Sequence, residues 1–355
     1  MTSILCKNGR VWNGEKFLYA DVLVKEGHVC KIEPHINEVV DFVYDATGKI
    51  VSAGLVDAHV HMKGISPDQY GIQAEMSSFP FGVTAAADAG GGYGNKALLD
   101  SFQLKNVVFV SVGFKDNRAM LDDTEQAIAN YGDRVVGLKV YFDTSISEVT
   151  DITSLQEVVE FAEKHQLIVM VHSSNSPVAM KEVLGVLRKG DILTHAYHGG
   201  ANNVSEDGFE CIREAKKRGV IIDAGFAGYV HTDFGVFESA IKQDAKPDVI
   251  STDITRASAY KRGGRYGMTM CMSLARTLGM SEEEIFQCVT VNPARALGKE
   301  YEWGSLRVNG TADLAVFEYG DEAFDMTDRA GNRVQDCQGY RCVLTISDGE
   351  VVYRR

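Results

Sequence analysis

Two kinds of hydrophobic patterning divide the chain. Up to about residue 53, short apolar runs alternate with turn signals: Ser3-Ile4-Leu5-Cys6, Asn8-Gly9, Val11-Trp12, Asn13-Gly14, Ala20-Asp21-Val22-Leu23-Val24 and Val29-Cys30-Lys31-Ile32-Glu33. Such runs predict strands joined by tight turns. The tail from Gly304 has the same style, with Ala312-Asp313-Leu314-Ala315-Val316-Phe317 and a second run from Val343 to Tyr353 broken at Asp348-Gly349. Neither piece has enough strands to bury a sheet face alone. The pattern therefore predicts one small β-sandwich built from both termini, residues 1–53 plus 300–355.

The middle alternates differently: apolar stretches of strand length are followed by helical spacing. It predicts strands at 50–59, 82–88, 106–113, 134–142, 167–172, 191–195, 219–225 and 248–253. Helices are expected at Ile152–Lys164 (with Thr153 and Ser154 as cap candidates), Ser176–Lys189, Gly208–Arg218 and Tyr266–Leu278. Eight strands with helices between them predict an α/β fold, a parallel (β/α)8 TIM barrel over residues 54–299. A doubly wound open sheet fits less well, because no G-x-G-x-x-G follows the first strand.

Composition narrows the partners. The 355 residues suit one large domain and a smaller one, and 45% hydrophobic with 24% charged residues is ordinary for a soluble protein. Thirty-six basic against 49 acidic residues give a net charge of −13 without a basic run, which argues against nucleic acid and anionic membrane as partners. The seven cysteines are scattered, with no C-x-x-C pair, so they are expected to be reduced packing residues. No apolar leader or run of about 18 apolar residues is visible, which sets the expectation of a cytoplasmic protein. A small-molecule substrate is expected, and a homo-oligomer is compatible with everything in the sequence.

The candidate chemistry sits at strand ends. The first strand closes in His59-Val60-His61, two imidazoles on one face because residues i and i+2 of a strand share a face. The fourth carries Lys139 inside an apolar run, the fifth ends at His172, the sixth at His195 and the eighth at Asp253. Taken singly, a strand-end histidine is usually a satisfied polar residue, a strand-end aspartate a cap, and a lysine a snorkelling side chain. Together they lie at the C-terminal end of one barrel, where catalytic groups of this architecture sit. An ammonium cannot ligate a metal, but a buried lysine loses its proton readily, and the neutral amine adds CO2 to give a carbamate whose two oxygens can bridge two cations. The expected arrangement is two divalent metal ions: His59, His61 and Asp253 on one, His172 and His195 on the other, carbamylated Lys139 between. A hydroxide bridging two such ions is nucleophilic at neutral pH, and Asp253 is the expected proton carrier. Zinc is the expected metal by donor type, though manganese, iron and cobalt accept the same donors.

The order H-x-H, lysine, histidine, histidine, aspartate resembles the amidohydrolase superfamily in its binuclear, carbamylated-lysine branch. Gly54-Leu55-Val56-Asp57-Ala58-His59-Val60-His61, Gly137-Leu138-Lys139, Val289–Gly298 and Gly304–Val316 support that resemblance across nearly the whole chain. Within it, Thr194-His195-Ala196-Tyr197-His198-Gly199 and Ser251-Thr252-Asp253-Ile254 look like the amidohydrolase/deacetylase metallohydrolases. This implies hydrolysis of an acyl group, as amide or ester, from a small and carboxylate-bearing molecule. Dihydroorotase-like relatives imply an alternative, a cyclic-amide hydrolase. They would carry arginine two residues after H-x-H, where this chain has Lys63, a cation without arginine's bidentate fork. A non-catalytic scaffold is the third alternative; a degenerate scaffold would be expected to have lost a ligand. Lys63, Tyr93, His198 and Arg256 are the candidate substrate contacts. Asp57 is a candidate for orienting the histidines, and His231 in the loop after the seventh strand has no assigned partner.

Overall fold

A computed structural model describes residues 3–62, 71–91, 96–228, 230–261 and 263–355. Lys63 and Tyr93, and the glycine-rich turn around Tyr93, lie outside the described residues.

Seven parallel strands form a curled sheet in the order Ile221–Ile222, Ile192–Thr194, Ile168–His172, Val135–Tyr141, Lys105–Val112, Val83–Gly91 and Leu55–Val60. The order is almost purely sequential, as right-handed crossover connections require. An eighth segment lies between the two edges. Ala224 N–H donates to Val249 O (3.0 Å) and Phe226 N–H to Ser251 O (3.2 Å), while Asp253 N–H donates to His59 O (2.7 Å) and His61 N–H to Ile254 O (3.1 Å). The expected eighth strand, 248–253, is thus present as single bridges rather than a regular ladder. The expected seventh shortens to Ile221–Ile222. Both interruptions have a backbone cause: Gly225, Ala227 and Asp253 take positive φ (49°, 51° and 45°), which breaks the extended repeat.

The apolar run expected as one strand over 50–59 serves two sheets. Ile50–Ala53 pairs with the terminal strands and Leu55–Val60 opens the parallel sheet, with Gly54 at the crossing. A Cβ at Gly54 would fall on the Thr84 side chain, its Cβ only 2.8 Å away, so the close approach of the two strands requires glycine here. Ile50–Ala53 runs antiparallel to Leu314–Thr327 and parallel to Ile4–Trp12, so strands from both ends of the chain share one eight-stranded sheet.

Helices cover the parallel sheet by the expected logic. In Thr153–Lys164, Leu155, Val158, Val159 and Ala162 are buried at i, i+3, i+4 and i+7, one apolar stripe. Its start differs from expectation. Neither Thr153 nor Ser154 caps it; the Asp151 carboxylate accepts from Thr153 N–H (2.9 Å), because it precedes the first free donor in a turn that reaches back to it. The other helices are shorter at their ends than the spacing predicts: Met180–Val186, Glu210–Arg218 and Met268–Thr277. Among the described residues, all seven cysteines are free thiols, and no helix is long and apolar enough to cross a membrane.

Candidate metal centre

The strand ends bring the expected residues together. His59, His195 and Lys139 are fully buried, and His61, His172 and Asp253 nearly so. Asp253 Oδ1 lies 2.9 Å from His61 Nε2 and 3.2 Å from His59 Nε2, and its Oδ2 3.5 Å from His195 Nε2. Lys139 Nζ lies 2.9 Å from His59 Nε2. The rings continue around the mouth, His59 to His195 at 5.2 Å and His195 to His172 at 4.6 Å between centroids. Among the described residues, two groups have donor atoms within 4.8 Å of one another: His59, His61 and Asp253, and His172, His195 and His231.

Hydrogen bonds behind these groups fix which nitrogen faces inward. Asp223 accepts from Thr194 Oγ1–H (2.7 Å), so Thr194 Oγ1 is left to accept from His59 Nδ1 (3.0 Å), and His59 Nε2 turns its lone pair to the centre. His195 Nδ1 donates to Gly225 O (2.5 Å), and among the described residues His195 Nε2 is buried without a hydrogen-bond partner. His172 Nε2 donates to Asp143 Oδ2 (3.0 Å), which leaves Nδ1 as its inward donor. Buried polar atoms are otherwise paired almost without exception. Inward lone pairs around one carboxylate, one of them orphaned, are what a divalent cation fits.

The eighth strand end is held in place by Asp57. Its carboxylate accepts from Thr252 Oγ1–H (2.6 Å) and Thr252 N–H (3.1 Å), tying the first strand to the residue before Asp253. The role expected of Asp57 was to orient the histidine pair; its shorter bonds go to Thr252, and His59 N–H reaches it at 3.4 Å. His195 and Asp253 both have positive φ, 56° and 45°, unusual for residues with a Cβ and a recurrent mark of functional positions. Gly225 belongs to the same packing, since a Cβ there would come within 2.7 Å of His195 Nδ1.

Burial sets the protonation states. It pushes His59, His172 and His195 below the ordinary imidazole range, so they are neutral, the ligating form. Burial lowers Lys139 to about 8 against the opposing pull of Asp253 and Asp223. Burial raises the Asp253 carboxyl, but His59, His61 and Lys139 outweigh it and hold it below the usual carboxylate range.

Other candidates separate. His198 is fully buried; its Nδ1 accepts from Gly200 N–H (3.1 Å), and its Nε2 has no hydrogen-bond partner among the described residues. Arg256 is exposed at the start of the Arg256–Lys261 helix, 5.6 Å from the Tyr260 ring, and lines a cavity of ≈ 390 Å³ with Ile72 and Tyr266. No contact joins it to the histidines among the described residues. A larger cavity of ≈ 710 Å³ opens beside His61 and is lined by Asp88, Ser111, Phe114, Met120 and Tyr141. Sequence reasoning left His231 unassigned and did not single out Asp143, Asp223, Thr194 or Arg329. Thr194 and Asp223 were visible only as strand-end polar residues. Arg329, from the turn between the last two long strands, donates to Ser174 O (3.2 Å) and Asn175 Oδ1 (2.8 Å) beside the His198 turn. No sequence signal connects it to the site.

A curled parallel sheet with buried histidines, a lysine and an aspartate at the C-terminal ends of its strands has the make-up of a metal-dependent hydrolase. Residues 50–352 match the model of the amidohydrolase family, and the chain belongs to that family, as a metal-dependent hydrolase of carbon–nitrogen bonds. It is 27% identical over 368 residues to a protein named deacetylase from Enterococcus faecalis, covering 98% of each chain. A second protein of that name, from Brucella anthropi, is 27% identical over 336 residues, 88% of this chain and 82% of that one. The crystal structure of a dihydroorotase superposes with a TM-score of 0.88 at 23% identity, covering 100% of this chain and 98% of that chain, a likeness of fold.

Proposed function

We propose that this enzyme removes an acyl group, as a deacetylase does, from the amide or ester of a small carboxylate-bearing molecule, using two divalent metal ions. The observation that supports the two-ion reading is buried Lys139, whose Nζ lies 2.9 Å from His59 Nε2 of one donor group and whose charge also acts on His172 and His195 of the other. Burial lowers the Lys139 amine to about 8, so the neutral form is far more accessible than in a free lysine. That form would condense with CO2: a nitrogen–carbon bond forms, a proton passes to solvent, and the single negative charge of the carbamate is shared by two oxygens, which could serve both ions. His59, His61 and Asp253 would hold one ion and His172 and His195 the other, zinc being the best match to nitrogen and carboxylate donors. Bound ions would supply Lewis acidity toward the scissile carbonyl and acidify a water.

The chain's own residues do the rest. Asp253, ionised and fixed by the Asp57–Thr252 bonds, accepts the proton of the attacking water and returns it to the leaving group. Thr194, Gly225 and Asp143 keep the imidazoles in their inward-facing tautomers. The cavity beside His61 is large enough for a small substrate. Arg329, which bonds Ser174 O and Asn175 Oδ1 near His198, would supply a cation for a substrate carboxylate. The same centre would open a cyclic amide, with ring substrates as the test. We further assign residues 54–299 to a closed (β/α)8 barrel, residues 1–53 with 300–355 to a β-sandwich, and the enzyme to the cytoplasm.

The deciding experiment measures metal per chain on protein purified without chelator in bicarbonate, then hydrolysis of N-acetyl amino acids, acetyl esters of hydroxy acids, dihydroorotate and hydantoins. Two ions with acyl release is the expected result. Two ions with ring opening alone would replace the deacetylase assignment, and absence of both metal and activity would overturn the proposal.

A further inference from the structure

We propose that His231 completes a three-histidine metal site with His172 and His195, so that the second ion does not depend on the Lys139 carbamate for its third protein ligand. The inference rests on the two-ion reading above and extends it. With only His172 and His195, the second ion would have two protein nitrogens and whatever CO2 supplies. Zinc and its congeners in catalytic sites take three protein ligands and leave one position open.

The geometry supplies the third. Ring nitrogens of His172, His195 and His231 lie within 4.8 Å of one another. The His231 ring is 4.4 Å from His195 and 4.7 Å from His172 between centroids. Asp143 and Gly225 O occupy the outward nitrogens of His172 and His195. Ser174 Oγ stands in the matching place for His231, 3.0 Å from Nδ1, which leaves Nε2 as the available donor. Each imidazole thus has one nitrogen engaged from behind, the arrangement that fixes the tautomer of metal-bound histidine.

The residues that follow His231 are also tied down. Arg329 N–H donates to Thr232 O (2.9 Å), Asp233 N–H donates to Tyr197 O (2.8 Å), and Thr232 Oγ1–H donates to Phe226 O (3.4 Å). A ligand fixed before the metal arrives loses little further entropy on binding it. His198, three residues after His195 and equally buried, does not join this cluster.

The test uses the full-length apoprotein titrated with Co2+ in CO2-depleted and in bicarbonate-containing buffer, with bound metal counted directly. Wild type is expected to take two ions in either buffer. His231→Ala is expected to keep one in CO2-depleted buffer, and with bicarbonate to bind the second about 100-fold more weakly or worse, beyond the roughly 10–100-fold effect of losing a supporting hydrogen bond. His231→Cys puts a thiolate at the same place, and its cobalt form is expected to gain a sulfur-to-metal charge-transfer band in the near ultraviolet. That band separates ligation from a merely structural role, and circular dichroism checks that each variant is folded. Unchanged cobalt affinity in His231→Ala, or a cobalt-loaded His231→Cys without the band, overturns the proposal. One ion in CO2-depleted wild type, rising to two with bicarbonate, would also overturn it while leaving the two-ion reading intact. No ion under either condition would overturn both.

Discussion

At the scale of single residues, the site turns on one amine that must be neutral and one carboxylate that must be charged. Burial brings Lys139 down from 10.5 to about 8. At about pH 7 roughly a tenth of it is then neutral, and at about pH 9 roughly nine-tenths. Only the neutral amine attacks CO2. With dissolved CO2 held constant, the initial rate at which apoprotein recovers activity should rise several-fold from about pH 7 to about pH 8.5 and then level. A rate independent of pH over that range would remove Lys139 carbamylation from the pathway. Asp253 has the opposite requirement, since its neighbours keep it ionised and therefore able to accept a proton. Asp253→Asn, saturated with metal, should keep its circular dichroism spectrum and lose about 100-fold or more in kcat, the size of a general-base contribution. Parent turnover in that variant would mean that another group carries the proton.

At the scale of elements, one buried strand has to end in two histidines and also leave a different sheet. Gly54 makes that possible by letting the chain pass against Thr84. Gly54→Ala should lower stability by about 1–3 kcal/mol in denaturant titration, as overpacking does, and Thr84→Ala in the same chain should restore part of the loss. No recovery would mean that the glycine matters for its backbone alone. This is also where the sequence stops being readable. The apolar run over 50–59 has no polar break at Gly54, so periodicity sees one strand where two sheets meet. Strands seven and eight were legible as apolar runs but not as ladders, because the positive φ values at Gly225, Ala227 and Asp253 are set by packing around the site. His59, His61, Lys139, His172, His195 and Asp253 were legible because each ends, or interrupts, an apolar strand. His231 and Arg329 lie on connections whose course is set by tertiary contacts, and no periodicity marks them.

At the scale of the whole molecule, the terminal sheet does more than cover the parallel one. Trp12, Ile50, Phe317 and Tyr340 from its strands belong to the same continuous core as Leu55, Val140 and Phe286. The Trp12 indole N–H reaches Thr290 Oγ1 (3.2 Å) at the end of a helix on the parallel sheet. The long antiparallel pair Leu314–Thr327 and Arg333–Ser347 then carries its turn to the mouth of the site. There Asp328 Oδ2 accepts from Phe234 N–H (2.9 Å), the first residue of the helix that follows His231. A carboxylate at a helix start meets free N–H donors and the positive end of the helix dipole. Asp328→Ala removes that contact, and with it Asn332 loses both of its bonds to the carboxylate, 2.8 and 2.9 Å long, which hold the turn in shape. The variant should lose about 1–3 kcal/mol of stability, because a buried donor is left unmet. If the turn positions the His231 loop, the same variant should bind its second Co2+ about tenfold more weakly, the effect of losing a supporting interaction, with the first ion unaffected. A variant that is less stable yet binds both ions at wild-type affinity would show that the turn braces the fold and leaves His231 to be positioned by Ser174 and by the bonds of Thr232 and Asp233 to Phe226 and Tyr197.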